Sequence, residues 1–582
     1  MNRISQITIN KSETYLVIIS SLLLVLIISS CATQKHMRKD APYLYDDDNK
    51  NINEPASRKP SLMLTSVDRT FFDQMEEMFD IERSFRKLFG HPQQALNINS
   101  YDEVPNSSWF TNRHGMHRMS LEEIQNGRVL SGGPDTSGTW TVFRPKGEGA
   151  TPGFWIEDKN GHQFIIKFDP PDHSEMATAA AAMASRYFHA CGYNVPEETI
   201  VYFKPEILKI KEGAKIKDKY GKKHPFVQKD LDDILSKVER NANGYYRSLS
   251  SRALTNVKGP FSYNGLRRDD PNDWCAHEHR RELRGLYVIA SFINHHDTKD
   301  LNTLDAFEEE DGNRFLKHYL IDFGSTFGSD GDAPKPVKKG YANVFDLRDV
   351  FVSLVTLGLK SWPWEYAKPY QYPSIGYFES EIFQPQKFDP IIPNPAFENM
   401  TRRDAYWGAK IVMSFRDDDL KALVKAGQYS NPDAEAYLLK TLIERRDKIG
   451  KYWFSKVNPL DYFTVNYEDN GLKIDFDDLS VKYMLVKKEE THYNYIVKHN
   501  GKEILSNKGL KDSELNLSKA NLELMASKFS PPKSKDIIDN YLFEIQITTQ
   551  RVTGLQNNPT VLWLWYLPET EKFNLVGIEH LD

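Results

Sequence analysis

The chain has 582 residues, of which 75 are lysine or arginine and 81 are aspartate or glutamate, so its formal net charge is −6. Apolar residues make up 40% and charged residues 27%, which excludes wholesale disorder, a collagen-like chain and a protein with many membrane spans. The mild acidic excess provides no global field for nucleic acid, so we expect no nucleic-acid partner. With only three cysteines no disulfide framework is expected, and whether Cys191 and Cys275 pair stays open.

The first 30 residues have the pattern of a secretory signal. Basic residues precede an apolar stretch from Leu16 to Ile28, which is shorter than the about 20 apolar residues of a bilayer span. The residues Ile28-Ser-Ser-Cys31 that follow resemble a bacterial lipobox. The resemblance implies removal of residues 1–30, lipid chains on Cys31 and attachment to the cell envelope, at the outer membrane. The alternative is an uncleaved anchor helix with an incidental cysteine.

A polar tether is predicted to precede the body of the chain. Residues 31–62 are polar and include three consecutive aspartates, which is typical of a flexible linker. Residues 63–138 form an N-terminal extension, in which apolar residues recur at helical spacing between Val67 and Phe89.

Residues 139–257 alternate between apolar and polar positions as strands do. The predicted elements are strands and one alanine-rich helix: 139–144, 153–157, 163–168, Ser174–Cys191, 199–203 and 245–254. A tight hairpin is predicted at Asp158–Gly161. The lysine-rich insertion at 209–237 is predicted to be a solvated excursion.

The remaining chain changes from a helical to a strand pattern near residue 456. Helices predicted within 258–455 are 277–294, 401–415, 418–426 and 433–453. Strands predicted within 456–582 are 483–486, 494–498, 541–548 and 561–566. These strands predict a small all-β, sandwich-like C-terminal domain.

Two short segments concentrate residues suited to phosphoryl transfer. Asp297, Lys299 and Asn302 follow a predicted buried helix, and Asp322 ends an apolar strand about twenty residues later. Phosphoryl transfer needs a carboxylate directed at the acceptor hydroxyl, together with hard oxygen ligands for Mg²⁺. Asp297, Asn302 and Asp322 supply these oxygen types.

The first segment, His295-His-Asp-Thr-Lys-Asp-Leu-Asn302, resembles the catalytic loop H-R-D-x-K-x-x-N of the protein-kinase-like superfamily, with histidine in place of arginine. Asp322-Phe-Gly324 matches the D-F-G motif of the same superfamily. Upstream, Lys167 resembles the strand lysine that holds nucleotide phosphates, and Glu175 resembles the helix glutamate that pairs with this lysine. The parts follow the superfamily's order, with the short lysine-to-glutamate interval of its atypical members.

The resemblance implies an α+β, two-lobed fold with a β-rich N-lobe at 139–257 and a helical C-lobe at 258–455. It implies ATP and Mg²⁺ as cofactors and an acceptor hydroxyl on a protein, a glycan or a lipid. In the implied roles Asp297 accepts the hydroxyl proton and Lys299 stabilises the transferred charge. Asn302 and Asp322 would hold the metal.

The glycine-rich loop of the superfamily is absent. Lys146–Gly153, between the first two strands, is the candidate phosphate-covering loop, and Gly147 and Gly149 are its candidate nucleotide-binding residues. Their spacing differs from G-x-G-x-x-G, and the alternative is a flexible hairpin. This departure, and a compartment poor in ATP, motivate a second hypothesis of a catalytically silent kinase-like lipoprotein that binds envelope components. Trp362 and Trp364 lie in a proline-rich stretch and are interpreted either as packing or as a platform for an acceptor.

Overall fold

The structure is a computed structural model. It describes residues 37–39, 41–59, 92–146, 151–217, 222–343, 354–356, 361–531, 538–552, 554–555 and 558–581. The predicted signal at 1–30, the lipidation site Cys31, the helix between Val67 and Phe89, and the loop glycines Gly147 and Gly149 lie outside these residues. No helix within the described ranges is both long enough and apolar enough to span a membrane. The observed fold is mixed α+β.

The first sheet-rich part of the molecule contains eight strands. They are β1 Trp140–Pro145, β2 Gly153–Glu157, β3 Gln163–Lys167, β4 Glu198–Phe203, β5 Leu208–Ile210, β6 Lys215–Lys217, β7 Lys223–Pro225 and β8 Tyr246–Arg252. Six of them form one sheet in the order β4-β8-β3-β2-β1-β5, and β6 pairs with β7. In the β2–β3 turn the Asp158 carboxylate accepts the N–H groups of Asn160 and His162, each at 2.9 Å. The three predicted strands and their hairpin are confirmed.

The alanine-rich helix packs against this sheet. A short helix, α1 Leu121–Asn126, comes before the sheet in the chain, and the alanine-rich helix is α2 Met176–Cys191. All α2 side chains except His189 are buried, because alanine allows close approach on every face. The helix ends at Gly192, where φ is +120° and a Cβ would lie 2.3 Å from the Phe110 ring, so the turn requires glycine.

The lysine-rich insertion at 209–237 is more than a solvated excursion. It contains β6, β7 and a helix, α3 Gln228–Leu235, while β5 extends the sheet beside β1. Phe226, Leu231 and Leu235 are buried in the apolar core of the sheet. The prediction was wrong because these few apolar positions are separated by many exposed lysines.

Helices are the main regular elements in the middle of the chain. Its helices are α4 Arg281–Phe292, α5 Pro395–Glu398, α6 Arg402–Ser414, α7 Asp417–Lys425 and α8 Pro432–Trp453, and a small sheet of β9 Val257–Gly259, β10 Thr303–Glu310 and β11 Asn313–Leu320 lies among them. All residues of α4 are buried. This burial depends on close packing with α6, since a Cβ on Gly408 would lie 2.7 Å from the Gly285 carbonyl oxygen. The four predicted helices are confirmed, although α4 begins only at Arg281.

The C-terminal part is built from two sheets with a common apolar core. Its elements are β12 Leu460–Glu468, β13 Gly471–Asp478, α9 Leu479–Lys482, β14 Thr491–His499, β15 Lys502–Leu510, β16 Glu514–Ser518, α10 Lys519–Ala526, β17 Leu542–Arg551, β18 Gly554–Leu555, β19 Thr560–Leu567 and β20 Lys572–His580. One sheet is β12-β13-β16, and the other is β15-β14-β17-β19-β20 with β18 beside β17. Two short helices, α9 and α10, lie among these strands, and the strand predicted at 483–486 is wrong. Asp478 accepts the N–H groups of Ser480 and Val481 and starts α9 just before that segment.

Residues 41–59 lie along the body rather than forming the expected flexible tether. The Asp48 carboxylate is buried and accepts the Ser108 N–H at 3.0 Å and its hydroxyl at 2.6 Å. Arg58 pairs with Asp269 at 2.9 Å. Polar composition alone suggested a linker because the partners of these side chains are remote in sequence.

Cys191 and Cys275 are both buried and both free, so they do not pair. Burial raises the pKa of each thiol, that of Cys275 to about 12. Both thiols are therefore protonated at neutral pH, and protonated thiols are poor nucleophiles.

A buried ionic cluster joins the C-terminal sheets to the helices. Asp102 lies 2.6 Å from Arg281, 2.9 Å from Arg403 and 2.9 Å from His580, and all four residues are buried. Burial alone would raise the pKa of Asp102, but the two guanidinium groups and His580 hold it well below its usual range. Loss of one partner would leave uncompensated charge in the interior.

Replacing Asp102 with alanine is expected to lower the free energy of unfolding by about 3 kcal/mol, because the buried Arg281 and Arg403 lose a shared carboxylate and keep only Asp404 and Glu579 as partners. Urea unfolding followed by tryptophan fluorescence measures this change. Glu381→Ala, which removes an exposed ion pair with Lys368 at 2.7 Å, is the control and should leave the midpoint unchanged. Equal midpoints for Asp102→Ala and the wild type would contradict the role of the cluster.

Candidate active site

An ion pair connects the first sheet to the segment that follows β11. Lys167, at the end of β3, places its ammonium 3.0 Å from the Asp322 carboxylate. The lysine side chain is 16% exposed and the aspartate side chain 53% exposed, so the pair is open to solvent from the side of Asp322. The attraction of Lys167 lowers the pKa of Asp322 to about 2. Burial would lower the pKa of Lys167, but Asp322 and Glu198 raise it overall, so both members of the pair are charged.

The loop between α4 and β10 carries the predicted catalytic-loop residues. The Lys299 ammonium lies 2.9 Å from the Asp297 carboxylate, and the Asn302 amide donates to the Asp297 carbonyl at 2.8 Å. The Ile321 N–H donates to the Asn302 carbonyl at 3.0 Å. This hydrogen bond places Asp322 beside the loop, so the predicted residues lie on two adjacent segments.

A cluster of three aromatic rings in tilted and edge-to-face contact fixes these two segments against α2. The Phe188 ring of α2 lies 5.1 Å from the Phe323 ring and 5.5 Å from the His295 ring, and the latter two rings are 6.0 Å apart. Phe323 is fully buried. Burial lowers the pKa of His295 to about 3, so this ring is neutral and packs as an aromatic group.

His296, which replaces the arginine of the superfamily motif, connects the loop to the segment after D-F-G. Its Nε2 lies 3.3 Å from the Asp330 carboxylate, which also pairs with Lys339 at 2.5 Å. Burial lowers the pKa of His296. The buried Lys335 donates to the Asn294 carbonyl, directly before the catalytic-loop motif, and to the Ser325 carbonyl, directly after D-F-G. No motif in the sequence marks Asp330, Lys335 or Lys339.

Glu175 does not pair with Lys167, and that prediction is wrong. Glu175 precedes the first residue of α2 and has φ of +72°, so its side chain does not lie on the helix face toward the sheet. Its carboxylate instead accepts the Ser430 N–H at 3.0 Å.

Glu198 is the acid that, together with Asp322, raises the pKa of Lys167. It is 3% exposed and lies in register with Ser251 of β8, which in turn lies in register with Ile165 of β3. Ile165 is two residues before Lys167, so Glu198 and Lys167 lie on the same face of the sheet. Burial raises the pKa of Glu198 to about 7, with Lys167 opposing this rise and Asp322 adding to it. No motif in the sequence marks this position, since the acid comes from a strand two places away in the sheet.

The residues present fit a divalent ion delivered with a nucleotide. Within the described part of the chain, no three or more His, Cys, Asp or Glu side chains are grouped to hold a metal by themselves. Mg²⁺ needs only one or two protein oxygens, because phosphates and water complete its coordination. The ionised Asp322 and the neighbouring Asn302 supply such oxygens.

The aromatic residues after D-F-G pack mainly on one another. The Trp362 and Trp364 rings stack with centroids 4.9 Å apart, and the Tyr341 ring lies 6.4 Å from Trp364. The Tyr341 hydroxyl donates to Glu379 at 3.3 Å. These contacts fit the packing interpretation, and the acceptor platform stays a prediction.

No protein-family model matches the chain, and no curated protein matches it. A crystal structure of the Golgi casein kinase is similar over 72% of this chain and 95% of its own, with 11% identity and a TM-score of 0.26. A structure of the Golgi casein kinase with Mn/ADP bound covers 72% of this chain and 94% of its own, with 10% identity and a TM-score of 0.25. A structure of hydra Fam20 with sugar covers 52% and 97%, with 10% identity and a TM-score of 0.21. Scores this low carry no argument about this chain, so the site is assigned from its own contacts.

The raised pKa of Glu198 predicts a pH dependence of stability. An acid with a raised folded-state pKa contributes stability that is present below its ordinary pKa and lost as pH rises through about 7. The wild type should therefore lose up to about 3 kcal/mol from this group between acidic and neutral pH, and Glu198→Gln should not.

Urea unfolding of both proteins at a series of pH values measures the difference. Glu197 is the matched control. Burial would raise its pKa, but backbone N–H donors at 130–132 lower the pKa overall. Glu197→Gln should therefore change the pH profile in the opposite direction. Parallel profiles for Glu198→Gln and the wild type would refute the raised pKa.

Proposed function

We propose that the chain is a kinase-like phosphotransferase that moves the terminal phosphoryl group of a nucleoside triphosphate to a hydroxyl acceptor. The observation that supports this proposal most strongly is the charged Lys167–Asp322 pair, which lies beside the loop of Asp297 and Asn302. A lysine for phosphates, two oxygen ligands for a metal and a separate carboxylate are the parts that phosphoryl transfer requires. The proposal includes a two-lobed arrangement, with the N-lobe at 139–257 and the C-lobe at 258–455.

In the proposed reaction the acceptor oxygen bonds to the terminal phosphorus while the bond from phosphorus to the bridging oxygen breaks. Asp297 accepts the proton of the acceptor hydroxyl, and Lys299, which lies 2.9 Å from Asp297, neutralises charge on the transferred group. Lys167 holds the phosphates. Asn302 and Asp322 would hold a magnesium ion, which would neutralise further phosphate charge when bound.

A second function remains a candidate because Glu175 contacts Ser430 and not Lys167. A chain without the helix glutamate pair of the superfamily is the expected form of a silent kinase-like module that binds envelope components. Glu198 counts against this candidate, since this buried acid on β4 raises the pKa of Lys167 and so favours its charged form.

Two substitutions separate nucleotide binding from transfer. Asp322→Asn should weaken Mg·ATP binding by about tenfold, because a charged metal ligand is lost. Asp297→Asn should keep binding and lower transfer by about 100-fold or more, because the proton acceptor is lost. Calorimetry with Mg·ATP measures binding, and labelled ATP with an envelope extract measures transfer.

The exposed Asp332, also in the segment after D-F-G, supplies the matched control, and Asp332→Asn should change neither quantity. Binding of Mg·ATP without transfer to any extract component would favour the silent module. A wild type that binds no Mg·ATP would contradict the proposed function.

The proposal also places the protein in the cell envelope, with Cys31 lipidated, the body outside the inner membrane, and the outer membrane as its site of attachment. Cys31→Ser should move the expressed protein from the membrane fraction to the soluble fraction and abolish labelling by a palmitate analogue. Fractionation with immunoblotting measures both. Unchanged labelling of Cys31→Ser would contradict lipidation at this residue.

A further inference from the structure

The turn between β1 and β2 brings a second lysine to the Lys167–Asp322 pair. Lys146 directly follows β1, and its N–H donates to the Gly153 carbonyl at 2.9 Å. Gly153 is in register with Lys167 on the next strand. A Cβ on Gly153 would lie 3.4 Å from the Lys146 Cδ, so the lysine side chain extends over the glycine. Lys146, Gly153 and Lys167 thus form one row across the sheet.

The ammonium of Lys146 has neutral partners. It donates to the Thr151 hydroxyl at 2.8 Å and to the Thr151 carbonyl at 3.3 Å, and it forms no ion pair with the residues that the structure describes. Burial, and then the repulsion of Lys167, lower its pKa to about 8. A half-buried cation beside another cation is stabilised by an added anion more strongly than a fully solvated one.

Two further lysines, like Lys146, lower the pKa of Asp322, and both already have carboxylate partners. Lys167 pairs with Asp322 and Lys299 pairs with Asp297. Lys146 also contributes to the lowered pKa of Asp322, which places its charge within electrostatic range of that group. Among the three lysines that lower the pKa of Asp322, Lys146 is therefore the one that forms no ion pair with a carboxylate in the described part of the chain.

We propose that Lys146 is a phosphate-binding residue, and that its ammonium contacts the polyphosphate of the bound nucleotide. This inference rests on the proposed function and deepens it. The side-chain cation would supply what backbone N–H groups of a glycine-rich loop supply in protein kinases. The shared chemistry of the ligand is a nucleoside diphosphate or triphosphate with Mg²⁺, and a nucleoside without phosphates would not use Lys146.

Calorimetric titration of the full chain with Mg·ADP and with adenosine tests the inference. Lys146→Met, which keeps the length of the side chain, should weaken Mg·ADP binding by about tenfold and change adenosine binding by less than about twofold. Lys146→Arg should retain most of the Mg·ADP affinity, because the cation is kept. Lys209→Met removes an exposed lysine of β5 in the same sheet and should bind like the wild type.

The outcomes separate the inference from the function on which it rests. A wild type that binds no Mg·ADP overturns both. A wild type that binds Mg·ADP, with Lys146→Met binding equally well, overturns the role of Lys146 and leaves the proposed function standing. An equal loss of Mg·ADP and adenosine binding in Lys146→Met also overturns it, because that pattern indicates a disturbed fold. Selective loss of Mg·ADP binding supports it.

Discussion

The burial of Phe323 is the constraint on which the candidate site depends. Its ring contacts Phe188 of α2 and His295 of the catalytic loop, so three parts of the chain meet at one apolar point. The preceding residue, Asp322, has φ of +61°, a conformation that costs a non-glycine residue about 1–3 kcal/mol. Full burial of a phenylalanine side chain contributes about 1.5–3 kcal/mol, which is enough to offset this cost. The aromatic ring therefore anchors the turn, and the turn directs the carboxylate toward Lys167.

The charges of the site follow from that anchor. Asp322 is held ionised by the neighbouring lysines, and the buried Glu198 adds negative charge on the sheet side of Lys167. An acid on β4 is held by the sheet register, whereas Glu175 at the start of α2 faces the turn at Ser430. The strand lysine is thus supported by a strand acid in this chain. A buried acid with a pKa near neutrality makes this support sensitive to pH.

The strands around the first hairpin, the alanine-rich helix and the long helices were predictable, because each has a regular apolar period and a local terminator such as Gly192. The two segments that carry Asp297, Asn302 and Asp322 could be recognised because their spacing is local, and their catalytic roles stay predictions. The roles of Glu198 and Lys146 were not, because each depends on register between strands that are distant in sequence. The same reason explains why residues 41–59 suggested a linker, since their partners follow much later in the chain.

The central claim is that Asp322 and Asn302 hold the metal of a nucleotide whose phosphates lie against Lys167. A crystal structure of the chain with Mn²⁺ and a non-hydrolysable ATP analogue tests it most directly, because the anomalous signal of manganese locates the ion. We expect a manganese peak about 2.0–2.3 Å from a carboxylate oxygen of Asp322 and from the amide oxygen of Asn302. The phosphates should lie within hydrogen-bond distance of the Lys167 ammonium. A nucleotide bound elsewhere on the chain, or manganese away from Asp322, would contradict the account.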